Sequence, residues 1–166
     1  MNKLTCMALS MLAFAPSPAS AGGWKAAGAS NGRGETLSYD HGEDRSWIFE
    51  CAPDAVIITN VGITDLVDVR LKQKIGDAPG STITPTASMM TLYTGKGDPE
   101  FQPAKASPNA VKGWDFTLRL AKDDKQLKAL AKAEMMSLFT TGFTAAVTLE
   151  APERKMFADF LARCRG

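Results

Sequence analysis

The chain has 166 residues with 19 basic side chains, 18 acidic ones and one histidine, a balance that removes the concentrated positive charge on which binding to nucleic acid or an anionic membrane depends. One domain with its own hydrophobic core is expected at this length. A lone histidine also leaves no second imidazole for a common catalytic zinc set.

Residues 1–21, MNKLTCMALSMLAFAPSPASA, carry one charge at Lys3, an apolar run, and Ala19 and Ala21 on either side of Ser20. This is the pattern of a secretory signal peptide, with cleavage expected after Ala21. Pro16 and Pro18 cut the run short of the roughly 18 apolar residues that a membrane-spanning helix needs. The mature chain is therefore expected to lack a transmembrane segment and to be periplasmic or secreted, as a single exported β-rich domain over 22–166. Cys6 lies too early to become a lipid-modified first residue, and no twin-arginine pair precedes the apolar run,. Loss of Lys3 makes the mature chain formally neutral. The absence of any Asn-x-Ser/Thr site fits a bacterial periplasm,.

In chain order, the glycine- and alanine-rich stretch 22–34 reads as an edge segment anchored by Trp24, followed by a strand over 36–39. "DHGED", with Asp40, His41, Glu43 and Asp44, reads as a polar hairpin turn. "SWIFEC" and "AVIIT" are two strands joined at Pro53-Asp54, which puts Cys51 at the end of the first. In 63–75 the alternation of Val67, Val69 and Leu71 favours a strand, although the charged tail also suits a helix. "GDAPGSTITPTAS" is a loop that includes Asp77 and Ser81, and "MMTLYTG" is a strand. "KGDPEFQPAKASPN" is a second loop, with Lys96, Asp98, Lys105 and three prolines. Loops this long in a compact domain point to function, so 76–88 and 95–110 are the expected binding rim.

"GWDFTLRL" alternates Trp114, Phe116, Leu118 and Leu120 against Asp115, Thr117 and Arg119, so one face is core and the other solvent. Asp123 and Gln126 have the spacing of a capping box at the start of a short helix. "MMSLFTTG" and "FTAAVTLE" pair as strands turning near Gly142, and Pro152 opens the last helix at its first turn. Seven or eight strands and two helices give an α+β fold, mainly antiparallel β. It is expected to be one β-sandwich-like domain with a short helix and a C-terminal helix packed on the sheet.

Met156, Phe160 and Cys164 recur every fourth residue, with Phe157 and Leu161 one step around. They form one apolar stripe that turns Cys164 into the core, away from Arg163 and Arg165. Once the signal is removed, Cys51 is its only possible partner. A Cys51–Cys164 disulfide in an oxidising compartment would contribute about 4–5 kcal/mol in the chain-entropy model.

No set of residues assembles a catalytic site in the sequence, and no cofactor or metal is implied. His41 beside Asp40 and Asp44 is the one alternative, for a small hydrolase or metal-dependent enzyme. No Gly-x-Ser-x-Gly elbow accompanies any serine, and Lys96 in "TGKGD" lacks the phosphate-loop pattern. The pairs Met89-Met90 and Met135-Met136 suggest soft-metal ligands only until their strand setting is considered, where neighbours face opposite ways and each pair supplies one core side chain. Asp65, Asp68, Asp77 and Asp98 would matter to catalysis only if the fold joined two of them. The expected function is a non-enzymatic binding or interaction module of the bacterial envelope, with a protein or small ligand as partner. An accessory subunit of an envelope or secretion assembly is a further alternative. The sequence leaves the oligomeric state open.

"SLFTTGFTAAVTLE" and the terminal cysteine resemble small uncharacterised periplasmic proteins of Proteobacteria. The pattern Phe139-x-x-Gly142-Phe143-x-x-Ala146 is similar to the invasion-associated locus B family. That resemblance implies an exported β-sandwich without a cofactor and carries over no functional residue.

Overall fold

Alternating side chains build most of this molecule. The computed structural model describes residues 23–29, 34–42, 45–63, 66–68, 73–76, 88–111, 113–140 and 143–165. The proposed signal segment, including Cys6, lies outside them. The strands are β1 (Trp24–Ala27), β2 (Thr36–Gly42), β3 (Arg45–Cys51), β4 (Ala55–Ile63), β5 (Leu66–Asp68), β6 (Gln73–Gly76), β7 (Met89–Tyr93), β8 (Gln102–Pro103), β9 (Lys105–Pro108), β10 (Trp114–Ala121), β11 (Met135–Thr140) and β12 (Phe143–Thr148). Two helices complete the fold, α1 (Lys125–Leu130) and α2 (Ala151–Arg165).

A six-stranded sheet runs β1-β2-β3-β4-β10-β9, and a four-stranded sheet runs β12-β11-β7-β8. All their pairings are antiparallel. Register explains the core. Leu37, Phe49, Ile58 and Leu118 form one cross-strand row, and Tyr39, Trp47, Asn60 and Phe116 form the next. These rows share a face, and all but the half-buried Tyr39 are buried. Ser38, Ile48, Thr59 and Thr117 form the intervening row on the outer face. The inner face merges with Met90, Leu92, Met136 and Leu138 of the second sheet and with both helices into one core. Among the described residues, the fold is thus mainly antiparallel β with two helices, as the patterning requires.

The C-terminal helix seals the first sheet. Glu153 accepts a hydrogen bond from the Glu150 N–H (2.5 Å), which satisfies a donor at the helix start,. Phe157, Phe160, Leu161 and Cys164 are buried along one stripe, while Met156 is half-buried. The ring of Phe157 packs edge-on against Trp24 (4.5 Å between centroids) and Phe49 (5.3 Å). Trp24 therefore anchors its edge strand as expected. The helix end is joined covalently to the end of β3 through Cys51–Cys164, whose Cα atoms lie 5.5 Å apart. Gly34 makes this corner possible, because a Cβ there would lie 1.7 Å from the Cys51 carbonyl oxygen.

Three local expectations need correction. The 95–110 stretch contains the short strands β8 and β9, because proline is tolerated on an edge where no partner needs its missing N–H,. Between them the Ala104 N–H donates to the Ser88 carbonyl (2.9 Å), as the chain crosses from one sheet to the other. In 63–75 the described residues form two paired antiparallel strands, β5 and β6, in place of a single strand, and Val69 and Leu71 fall outside the described residues. At α1 the cap is Asp124, one residue later than the Asp123 spacing implies. Asp124 accepts from the Gln126 N–H (2.7 Å), so the Gln126 side chain is released from the capping box for another contact.

Candidate functional site

The released Gln126 side chain lines an open cavity. Its Nε2 donates to the Glu100 carbonyl (3.1 Å), which ties α1 to the segment that leaves β7. Lys125 reinforces the same junction through an ion pair with Glu100 (2.6 Å), and this contact raises the Lys125 pKa. Between the two elements lies a hollow of about 400 Å³. Leu92 and Ala133 are buried side chains on its lining, and Ala129, Tyr93 and Pro99 contribute further apolar surface. Lys96, Asp98 and Lys132 supply exposed charge around it.

Backbone geometry sets this wall. Gly95 and Gly97 have φ of 80° and 71°, a region that costs other residues strain,. A Cβ on Gly95 would also lie 3.1 Å from Cγ of Met135. The chain thus turns sharply after β7 and presents Lys96 and Asp98 on either side of Gly97.

Of the residues expected to form a binding rim, Lys96 and Asp98 line the cavity. Lys105 does not. It lies on the edge strand β9 opposite Thr117, exposed and in the other sheet. Asp77 and Ser81 fall outside the described residues. Sequence reasoning missed the other wall, Lys125, Gln126, Ala129, Lys132 and Ala133. A signal was present: Lys125, Ala129 and Lys132 follow helical spacing, so an alanine sits in the middle of a charged face.

Of the polar cluster around His41, the described residues are Asp40 and His41. The pairing of β2 with β3 shifts register between Asp40 and Gly42, which leaves His41 as the bulged residue. A bulge re-aims its side chain. The β2–β3 hairpin is present as expected, but His41 itself lies within β2 as a half-buried ring packed edge-on against Trp47 (4.3 Å) and Tyr39 (4.8 Å). Burial, and then the charge of Arg45, hold its pKa below 6.5, with Asp40 acting more weakly in the opposite direction. His41 Nε2 is buried without a hydrogen-bond partner. Asp40 Oδ1 instead accepts from the Gly42 N–H (2.8 Å), so among the described residues no carboxylate hydrogen-bonds the imidazole. Glu43 and Asp44 lie outside the described residues.

Asp40 lines a second hollow of about 400 Å³ on the outer face of the first sheet, with Ser46, Ile48, Val61 and Val111. It lacks the buried floor of the first. Among the described residues, no cluster of three or more His, Cys, Asp or Glu side chains is placed to hold a metal ion. Met90 and Met136 are core side chains, as expected for one of each methionine pair, while Met89 and Met135 are half-buried. No helix among the described residues is long and apolar enough to cross a membrane. Neither a family model, nor a curated protein, nor a solved structure matches this chain, so its own geometry carries the functional argument.

Proposed function

We propose that this protein is a non-enzymatic binding module of the bacterial envelope that holds a small ligand between the 94–100 segment and α1. One observation carries the reading: an open hollow with buried Leu92 and Ala133 on its lining is ringed by the charges of Lys96, Asp98 and Lys132. Ligand sites are typically concave and mostly apolar, with a few polar groups that fix orientation. The opposed walls are already joined by the Gln126–Glu100 and Lys125–Glu100 contacts, so little ordering cost remains to be met on binding.

Location belongs to the same proposal. The Cys51–Cys164 disulfide is the kind of bond that persists in oxidising compartments,. Together with the signal-like first 21 residues, it supports export to the periplasm or beyond, with cleavage after Ala21.

Thermal-shift screening against fractionated small molecules of an envelope extract tests the reading. At least one fraction should raise the Tm of the disulfide-bonded protein and fail to raise that of a K96A/D98A/K132A variant. Equal stabilisation of both proteins, or of neither, rejects the cavity as the binding site.

A further inference from the structure

The lining of this cavity holds uncommitted charge of both signs. Lys125 and Glu100 satisfy one another, but Lys96, Lys132 and Asp98 have no ion-pair partner among the described residues. Gln126 is committed to the wall itself: it is 8% exposed and its Nε2 donates to the Glu100 carbonyl.

Resting on the binding role proposed above, we infer that the ligand is a small zwitterion with an apolar side chain, an α-amino acid or short peptide. Its carboxylate is taken by Lys96 and Lys132, and its ammonium by Asp98. The side chain rests on Leu92, Ala129 and Ala133. Simpler ligand classes leave part of the lining unanswered. A fatty acid supplies an anion and an apolar body, but nothing for Asp98. A polyamine satisfies Asp98 and is repelled by the two lysines. The volume of about 400 Å³ falls toward the lower end of the roughly 300–1,000 Å³ range of small-molecule sites, in keeping with an amino acid or dipeptide.

The experiment is an amide chemical-shift titration of the disulfide-bonded protein with four probes: the dipeptide Ala-Leu, its N-acetyl form, its C-terminal amide, and octanoate. Ala-Leu should move resonances in 92–100 and 125–133. Each blocked form should bind about fivefold more weakly, the weight of one exposed charged contact, and octanoate more weakly still. D98N should abolish the difference between Ala-Leu and its N-acetyl form. A K96Q/K132Q variant should abolish the difference between Ala-Leu and its amide. These substitutions lie on exposed side chains, and the dispersion of the remaining resonances checks that the fold is kept. Equal binding of all four probes, or preference for octanoate, overturns the zwitterion while leaving the cavity a binding site. No shift with any probe also overturns it, and the envelope-fraction screen then decides the broader reading independently.

Discussion

Gln126 reaches back across the chain to the carbonyl of Glu100, 3.1 Å away, and thereby joins the short helix to the segment after β7. That one side chain forms the junction of the two cavity walls. Q126A removes the bond and the packing of a buried stem, and should cost about 1–2 kcal/mol of stability. Hydrogen exchange of the 95–100 amides should accelerate in this variant by more than global destabilisation explains. Uniform acceleration across the molecule would mean that the bond has no local role.

Gly95 sets the direction of the loop wall, with φ of 80° and a Cβ position only 3.1 Å from Cγ of Met135. G95A should lose about 1–2 kcal/mol from backbone strain alone, measurable as a lower urea midpoint. A companion substitution, G97A, meets no neighbouring atom within 4 Å and bears only the strain of its left-handed backbone. If both variants were equally stable, crowding against Met135 would have no part in shaping the wall.

The Cys51–Cys164 bond closes a separation of 113 residues. A C51A/C164A variant should lose about 3–5 kcal/mol. The loss should appear first as fraying of the last turn of α2, because Cys164 is that turn's link to β3. Arg163–Glu35 (2.6 Å) and Arg165 to the Lys122 carbonyl (3.0 Å) also hold the helix end, but such exposed contacts contribute little each. A free-thiol assay on the native protein should find no reactive thiol in this pair; two titratable thiols would remove the bond from the account.

His41 gives the stability a pH dependence of defined sign. Its folded pKa is depressed, chiefly by burial against the aromatic cluster and secondarily by Arg45. The unfolded chain therefore takes up the proton more readily, near pH 6.5. The stabilisation is full above that value and is lost as pH falls through the lower, folded pKa. Urea unfolding of wild type and H41F should show a wild-type stability that declines from pH 7 toward pH 5, with that component missing in the variant. Parallel pH profiles would show that His41 titrates alike in the folded and unfolded states.

Much of the architecture is legible in the sequence because binary patterning is a local signal. Trp114, Phe116, Leu118 and Leu120 are buried as their alternation requires. The stripe ending at Cys164 is buried as its spacing requires, apart from the half-buried Met156. Prolines hid β8 and β9, since turn chemistry and an unpaired edge look alike until the neighbouring strand is known. The hairpin at "DHGED" was legible, but the burial of His41 was not, because a one-residue bulge between paired strands has no local signature there. Only one wall of the candidate site was visible beforehand. Lys96 and Asp98 stand out between glycines, whereas Gln126 and Lys132 acquire a role only when α1 folds against the 94–100 segment.

Amide chemical-shift mapping, using whichever envelope fraction stabilises the protein, tests the central claim most directly. The account predicts that perturbed resonances cluster in 92–100 and 125–133, around Leu92, Lys96, Gln126 and Ala133, while Ser46, Ile48 and Val61 on the outer face of the first sheet stay unmoved. Perturbations centred on that outer face, with the 94–100 segment silent, would contradict it.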